Sequence, residues 1–400
     1  MATVMLIVYW FSLLVVLYTY IGYGMVMAML ARIRNRPAPM PLKEEDLPAV
    51  TILIPAYNEA DILGPKIRNT LQLNYPKELL QVIVITDGSD DGSDIIVHAF
   101  PQVMGMHQAA REGKAMAINR AMQRVEGSIT VLTDANAMVD PASLRLLVAH
   151  FADSRVGGAS GEKRIASPAA DGVSAGGEGL YWIYESWLKE QDAAVQTLVG
   201  AAGELFAFRT ALFQPFEPDT ILDDFMLSLR ICLKGYRIAY EAGATATETG
   251  SVSLAEEQKR KVRIAAGGYQ SMVRLKMLQA ARHKPMLLFQ YISHRVLRWT
   301  VTPLCLILLL VSNLVLVIQD MGGFYSFSCW MQFLFYLAAT AGWLGALINR
   351  KWPIVSAIYY FVFMNWSAIL GGIMYLSGKH SATWEKSKRL NLPVKENQAG

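Results

Sequence analysis

Long uncharged stretches at both ends of the chain limit the folds that it can adopt. No charged residue occurs from Met1 to Ala31, and three further apolar runs lie at about 301–318, 330–348 and 353–376. Each run is long enough to cross a bilayer as a helix. With 53% hydrophobic residues, the chain is also more apolar than ordinary soluble domains. We therefore predict an integral membrane protein.

Basic residues next to these runs bear on the orientation in the membrane. Arginines at 32, 34 and 36 follow the first run directly, which places the following residues in the cytoplasm by the positive-inside rule. A cleaved signal peptide is the competing interpretation, but the run is too long and lacks a basic start. Three further crossings would carry the C-terminal tail, residues 377–400, to the outer side of the membrane. The lysines and the arginine of this tail instead favour the cytoplasmic side. The basic segment 349–351 favours three crossings, so the side of the tail stays open.

The middle of the chain alternates strand-like and helix-like patterns. Buried-strand runs end in polar loops in "AVTILIPAYNE", "LLQVIVITDGSDDGS" and "GSITVLTDAN", with amphipathic runs between them. Continuous apolar strands separated by helices predict a parallel sheet that is covered on both faces. Ligands bind such sheets at the carboxyl ends of the strands, so the three polar loops predict one site.

Two acidic patterns stand out in this region. Asp134 and Asn136 alternate at a strand end, so their side chains point the same way and can share a cation or phosphate. Strand ends also carry such residues simply to make turns. Asp223 and Asp224 begin a predicted helix that ends at Gly235, and capping that helix needs only one acid. The three scattered cysteines suggest neither a disulfide framework nor a Cys-based metal site.

Six motifs occur in the order "IPAYNE", "TDGSDDGS", "GKAMAIN", "TDAN", "DDFMLSLR" and "EEQKRKVR". Together they resemble membrane-integrated family 2 glycosyltransferases, especially bacterial poly-N-acetylglucosamine and hyaluronan synthases. The resemblance implies an α/β GT-A (Rossmann-like) catalytic domain at 48–250 and a transmembrane helix at 1–31. It further implies interfacial amphipathic helices at 251–299, transmembrane helices at 300–376 and a tail at 377–400. The expected location is the bacterial inner membrane, with the catalytic domain in the cytoplasm.

The resemblance also assigns the donor site. Tyr57, Glu59 and Asp87 would hold the uracil and ribose of a UDP-sugar, because a carboxylate accepts from the imide N–H and an aromatic ring stacks on the base. Lys114, at a predicted helix start, would lie near the diphosphate as a flexible point charge.

A metal site follows from the same resemblance. Asp134 and Asn136 match the family's Asp-x-Asp element, which presents Mg²⁺ or Mn²⁺ to both phosphates of the donor. Asn136 replaces the second carboxylate of that element. The loss of one negative charge predicts weaker metal binding in the absence of nucleotide.

The acceptor side is assigned in the same way. The second acid of the pair, Asp224, would deprotonate the acceptor hydroxyl for in-line, inverting attack on the anomeric carbon, with Asp223 as its neighbour. Gly203 and Glu204 stand where relatives line the acceptor site.

The stretch "QKRKV" occupies the place of the family's Gln-x-x-Arg-Trp motif. Gln258 matches, whereas Lys261 and Val262 replace the arginine and the tryptophan. Arg260 or Arg263 would then contact the diphosphate. Without the resemblance, this basic, amphipathic stretch predicts an interfacial helix on anionic lipid headgroups.

Three functions remain open. The first is transfer from a UDP-sugar to a growing polysaccharide, with a homodimer or an export partner completing a path through the membrane. The second is a non-processive transferase that glycosylates a lipid, such as a polyprenyl phosphate or a ceramide-like acceptor, as the missing tryptophan suggests. The third is a pseudoenzyme subunit, which the retained Asp134 and Asp224 disfavour. Membrane lipids are expected partners, and nucleic acid is not.

Overall fold

The structure is a computed structural model, and it describes residues 1–34, 36, 39–166, 177–249, 253–348, 350 and 352–378. The chain divides into two compact units. The basic tail residues and most of the segment 349–351, on which the orientation of the tail was argued, lie outside the described residues.

The first unit contains the apolar runs. Its N-terminal helix consists of α1 (Ala2–Leu17), a π-helical turn (Tyr18–Gly22) and α2 (Tyr23–Arg34). Together with three later helices, this element is long enough and apolar enough to cross a membrane. The later helices are α13 (Val301–Ile318), α14 (Gly323–Leu347) and α15 (Pro353–Leu376).

Shorter helices complete this unit. They are α7 (Gly177–Val195), α9 (Leu254–Leu275), α10 (Met277–Ala280), α11 (Pro285–Tyr291) and α12 (Leu297–Trp299). Helix α9 packs closely on α15, since a Cβ on Gly371 would lie 2.4 Å from the Cβ of Ala265. Small residues permit such close helix packing in membrane proteins. Helix α7 falls within the predicted catalytic range but packs with this unit.

Buried charged groups tie α7 to its neighbours. The Asp192 carboxylate accepts from the Tyr23 hydroxyl at 2.6 Å and lies 2.5 Å from Nδ1 of His294. The Glu185 carboxylate accepts from Arg298 at 2.8 Å. Buried charges are tolerated when they are paired in this way, so the cluster holds α7 in one position within the unit.

The described residues of the second unit form an eight-stranded sheet and five α-helices. The strands are β1 (Val50–Ala56), β2 (Leu80–Asp87), β3 (Met104–Gln108), β4 (Ile129–Leu132), β5 (Met138–Val139), β6 (Val156–Ala166), β7 (Phe206–Arg209) and β8 (Arg237–Thr249). The helices are α3 (Ala60–Leu71), α4 (Ser93–His98), α5 (Lys114–Ala121), α6 (Ser143–Ala149) and α8 (Asp223–Leu233).

The strand order is β3-β2-β1-β4-β7-β6-β8-β5. Strand β1 is parallel to β2 and β4, with Val50 opposite Leu80 and Ile129, so the predicted parallel arrangement is confirmed for this half. Strand β7 is antiparallel to β4 and β6, which makes the whole sheet mixed rather than parallel. Strand β7 begins at Phe206, opposite Leu132 at the carboxyl end of β4, and ends at Arg209, opposite Ile129. It therefore runs in the opposite direction to β4.

Candidate active site

The loops that follow β1 and β2 interlock at the carboxyl edge of the sheet. Asn58 adopts a left-handed backbone conformation with φ of 53°. Its side chain donates to Asp90 at 2.8 Å and accepts from the Asp90 backbone N–H at 3.0 Å. The Asn58 backbone N–H also donates to the Ser89 hydroxyl at 3.1 Å. The two motifs predicted to share a site therefore form one continuous rim.

A small pocket opens beside this rim, lined by Tyr57, Asp87, Arg111 and Lys114 among others. The Arg111 guanidinium lies 3.6 Å from the centroid of the Tyr57 ring, in a cation–π contact. A nucleobase that stacks on the same face of this ring must take the place of Arg111. The sequence prediction missed Arg111, although a basic residue three positions before Lys114 was a usable signal.

Asp87 braces the turn that precedes α5. Its Oδ2 accepts from the backbone N–H groups of Glu112 at 3.0 Å and Gly113 at 2.6 Å. Its Oδ1 accepts from Arg120 at 2.5 Å. A carboxylate has about four acceptor positions, so capacity for a base imide remains. Glu59 stands at the N-terminal end of α3, next to the interlocked loops.

Lys114 lies where three carboxylates converge. Its Nζ is 2.8 Å from Oδ1 of Asp134 and 3.4 Å from Oδ2 of Asp223. Burial by itself lowers the pKa of Lys114, but Asp134, Asp223 and Asp224 outweigh burial and raise that pKa above its ordinary value. The ammonium group is therefore charged, as contact with a phosphate requires.

Asp224 has the protonation behaviour of a base. Burial, the neighbouring Asp223 and Glu204 raise the pKa of Asp224 to about 7, against the opposing effect of Lys114. A Cβ on Gly203 would stand 3.0 Å from Oδ2 of Asp224, so a glycine leaves room for this carboxylate. A base that titrates near neutral pH is suited to accept a proton in the cell.

A buried lysine connects the two sides of the site. Lys163, with a side chain only 3% exposed, pairs with Glu204 at 2.6 Å and also with Glu248. The Asn136 side-chain amide lies 3.5 Å from Glu248. The chain of contacts runs from the predicted metal side to the predicted acceptor side. Lys163 was not predicted, because nothing in its local sequence distinguishes it from an exposed lysine on a strand.

Comparison with known proteins identifies the family. The family model described as "Glycosyltransferase like family 2" matches residues 48–267, which is more than half of the chain. The chain belongs to glycosyltransferase family 2. This confirms the resemblance drawn from the motifs.

Two relatives make different products. Beta-monoglucosyldiacylglycerol synthase of Synechocystis sp. is 24% identical over 363 residues, which cover 86% of this chain and 67% of that protein. Poly-beta-1,6-N-acetyl-D-glucosamine synthase of Staphylococcus aureus is 27% identical over 242 residues, which cover 58% of this chain and 57% of that protein. This family 2 glycosyltransferase thus spans between about half and two thirds of these relatives. The family and its relatives support a hexosyltransferase activity.

A solved structure shares the fold. The mannosyltransferase PcManGT from Pyrobaculum calidifontis, in complex with GDP-Man and Mn²⁺, superposes with a TM-score of 0.69 at 21% identity. The match covers 93% of this chain and 99% of the mannosyltransferase. It confirms the predicted GT-A fold with apolar helices.

The residues of this glycosyltransferase are compatible with a divalent cation. Oδ2 of Asp223 is buried and accepts no hydrogen bond within the described residues, and the Lys114 ammonium already sits between it and Asp134. No group of three or more His, Cys, Asp or Glu side chains is arranged to bind a metal in the described part of the chain. Mg²⁺ commonly uses one or two carboxylates plus substrate phosphates, so the donor set fits a cation shared with a diphosphate.

The remaining predicted site residues, Gln258, Arg260 and Arg263, lie on α9 in the first unit, whereas all the others lie in the second. The Arg260 side chain is 3.6 Å from Glu257. Lys261, which replaces the family arginine, is buried and pairs with Glu257 at 3.2 Å. The roles of these residues stay predictions.

Proposed function

We propose that this enzyme transfers a hexose from a UDP-sugar to a lipid acceptor in the membrane, with inversion at the anomeric carbon. Asp224 takes the proton of the acceptor hydroxyl, whose oxygen forms a bond to the anomeric carbon. The bond from that carbon to the diphosphate oxygen breaks, and UDP leaves. The observation that carries this proposal is geometric: a Cβ on Gly203 would stand 3.0 Å from Oδ2 of Asp224 and 3.5 Å from Nζ of Lys114. A carboxylate base and a cation for the leaving group therefore lie beside the same glycine.

The donor side supports the same chemistry. Tyr57 and Asp87 offer a ring for stacking and a carboxylate acceptor in one pocket, as a uracil requires. Asp134 and Asn136 would hold Mg²⁺ or Mn²⁺. When bound, this cation would neutralise charge on the departing nucleoside diphosphate. The Mn²⁺ reported with the mannosyltransferase of the same fold agrees with a divalent cation.

The polar side chains of the membrane unit favour a lipid over a polymer as acceptor. A polymer would need a path lined by polar groups, since the bilayer core offers none. Instead, Asn365 accepts from Tyr20 at 2.9 Å, and Asn313 donates to Ser328 at 3.2 Å. The other polar candidates also bond inside the unit: Thr300, Thr302, Ser312, Thr340 and Ser367. Asn365, Asn313 and Thr302 bond to other helices, and the remaining hydroxyls bond to carbonyls three or four residues earlier in the chain. Each of them has a partner inside the unit without a polar path.

The similarity to a glycolipid synthase over most of the chain supports the lipid acceptor as well. Val262, in place of the motif's tryptophan, agrees with a single addition. Extension of a polysaccharide is the second candidate, because poly-beta-1,6-N-acetyl-D-glucosamine synthase matches over 58% of this chain. Arginines 32, 34 and 36 favour a catalytic domain on the cytoplasmic face of a bacterial inner membrane in both cases.

Product analysis distinguishes the two candidates. Purified protein in detergent with bacterial lipids is given radiolabelled UDP-glucose, UDP-N-acetylglucosamine, UDP-galactose or GDP-mannose, and products are partitioned between organic solvent and water. We expect label from one UDP-sugar in the organic phase as a lipid carrying one or two sugars. Long water-soluble chains would replace the lipid proposal by the polymer one. Transfer from GDP-mannose alone would refute the UDP donor. The Asp224→Asn variant, incubated in parallel, controls for contaminating transferases.

A further inference from the structure

Lys66 is a fully buried lysine on α3, behind the segment that carries Asp134 and Asn136. Its side chain is 0% exposed. Its Nζ donates to the Thr133 hydroxyl at 2.9 Å and to the backbone carbonyl of Ala137. These two acceptors stand immediately before Asp134 and immediately after Asn136. One ammonium group therefore holds both ends of the predicted metal-binding segment.

This arrangement is costly for the fold. Within the described residues Lys66 forms no ion pair, and its two acceptors are neutral oxygens. Burial lowers the pKa of Lys66 to about 7, with Asp134 opposing that effect. An apolar side chain of similar length would avoid the cost of burying this group. Features that work against stability are expected at functional sites.

The braced segment is also coupled to the acceptor side. The Thr133 hydroxyl, which accepts from Lys66, donates in turn to the backbone carbonyl of Glu204 at 2.9 Å. One turn further along α3, Asn69 exchanges two hydrogen bonds with the backbone of Val139, at 2.9 and 2.8 Å. One face of α3 thus fixes the course of the whole segment from 133 to 139.

We propose that Lys66 is a positioning residue, which holds the Asp134–Asn136 segment in the conformation that binds the donor diphosphate together with its divalent cation. Lys66 acts through the backbone and through Thr133, and it touches neither ligand. The identity of those ligands rests on the proposed function. The effect is preorganisation. Without the hydrogen bonds from Lys66, the Asp134–Asn136 segment must become ordered when the diphosphate and the cation bind, and the affinity for both falls.

The test compares Lys66→Met with Thr70→Val in the full chain. Thr70 is also buried on the same helix. Among the described residues its hydroxyl donates only to the backbone carbonyl of Lys66, so Thr70→Val leaves the Lys66 side chain and its two acceptors in place. Thermal unfolding, Mn²⁺ binding by electron paramagnetic resonance in the presence of UDP, and the donor KM are measured for each. We expect Lys66→Met to unfold at the wild-type temperature or higher, yet to bind Mn²⁺ and UDP about 10-fold to 100-fold more weakly, as for other partners of metal ligands. Thr70→Val should lower the unfolding temperature and leave binding unchanged.

Two results would overturn the proposal. One is binding of Mn²⁺ and UDP by Lys66→Met within about twofold of wild type. The other is that both variants lose stability to the same extent and both also lose binding. In that case Lys66 would only support the fold. If Lys66→Met does not fold, Thr133→Val decides, because it removes the shared hydroxyl without changing a charge. Unchanged binding of Mn²⁺ and UDP by Thr133→Val would also refute the positioning role of Lys66. A wild-type protein that binds Mn²⁺ and UDP but transfers no sugar would refute the proposed function alone, because the comparison of variants depends on binding.

Discussion

Lowering the pH from 8 to 6 should slow sugar transfer about tenfold, because Asp224 takes up a proton in this interval. Burial, Asp223 and Glu204 raise the pKa of this carboxyl to about 7, against the effect of Lys114. With that pKa, about nine tenths of the carboxyl is ionised at pH 8 and about one tenth at pH 6. Since only the ionised form accepts the acceptor proton, kcat/KM, which reports the free enzyme, should fall in the same proportion.

The assay is the initial rate of transfer at donor concentrations well below KM, which gives kcat/KM, measured at intervals across this range. The Asp224→Asn variant should lose roughly 100-fold to 10,000-fold in kcat and most of the pH dependence. Glu204→Gln should move the midpoint to lower pH, because the Glu204 charge is one of those that raise the pKa of Asp224.

Stability should change in the opposite direction to activity. The folded pKa of Asp224 lies above the ordinary value of 3.8, so the fold favours the protonated form. That contribution is fully present below about pH 4 and is lost as the pH rises through about 7. Asp224→Asn should therefore unfold at a higher temperature than wild type at pH 8. A flat kcat/KM between pH 6 and 8 would refute the raised pKa, and near-normal turnover of the variant would refute the role of Asp224 as the base.

Three further predictions concern the metal and the space around the base. A chelator should abolish transfer and Mn²⁺ or Mg²⁺ should restore it; undiminished activity in chelator would remove Asp134 from its proposed role. Asn136→Asp should lower the Mn²⁺ concentration needed for half-maximal activity, because it adds a charged ligand, and an unchanged metal titration would exclude this side chain as a ligand. Gly203→Ala should reduce kcat roughly 10-fold to 100-fold with little effect on donor KM, because its Cβ would stand 3.0 Å from Oδ2 of Asp224. A wild-type kcat in Gly203→Ala would mean that transfer does not depend on the present position of the Asp224 carboxylate.

The sequence alone was sufficient for features that depend on neighbouring residues. The uncharged run from Met1 and the three later runs became long apolar helices, because hydropathy and helix length are local properties. The first half of the sheet was also predictable, since apolar strands separated by helices have few alternatives to parallel pairing. Asp223 and Asp224 stand at the start of α8 as predicted, because an acidic start and a terminal glycine are signals within one helix.

Tertiary structure decided what depends on residues distant in the chain. The antiparallel course of β7 follows from its pairing with β4, which lies more than 70 residues earlier in the sequence. Lys163 and Lys66 resemble solvent-exposed lysines in the sequence, yet both are buried against acceptors from other elements, and the Thr133 partner of Lys66 is 67 residues away. The raised pKa of Asp224 likewise requires the burial and the distances to Glu204 and Lys114 that folding creates. Local patterns predicted which elements form and which edge of the sheet carries the polar loops. Burial and charge proximity are properties of the packed chain, and they determine which of those polar groups can do chemistry.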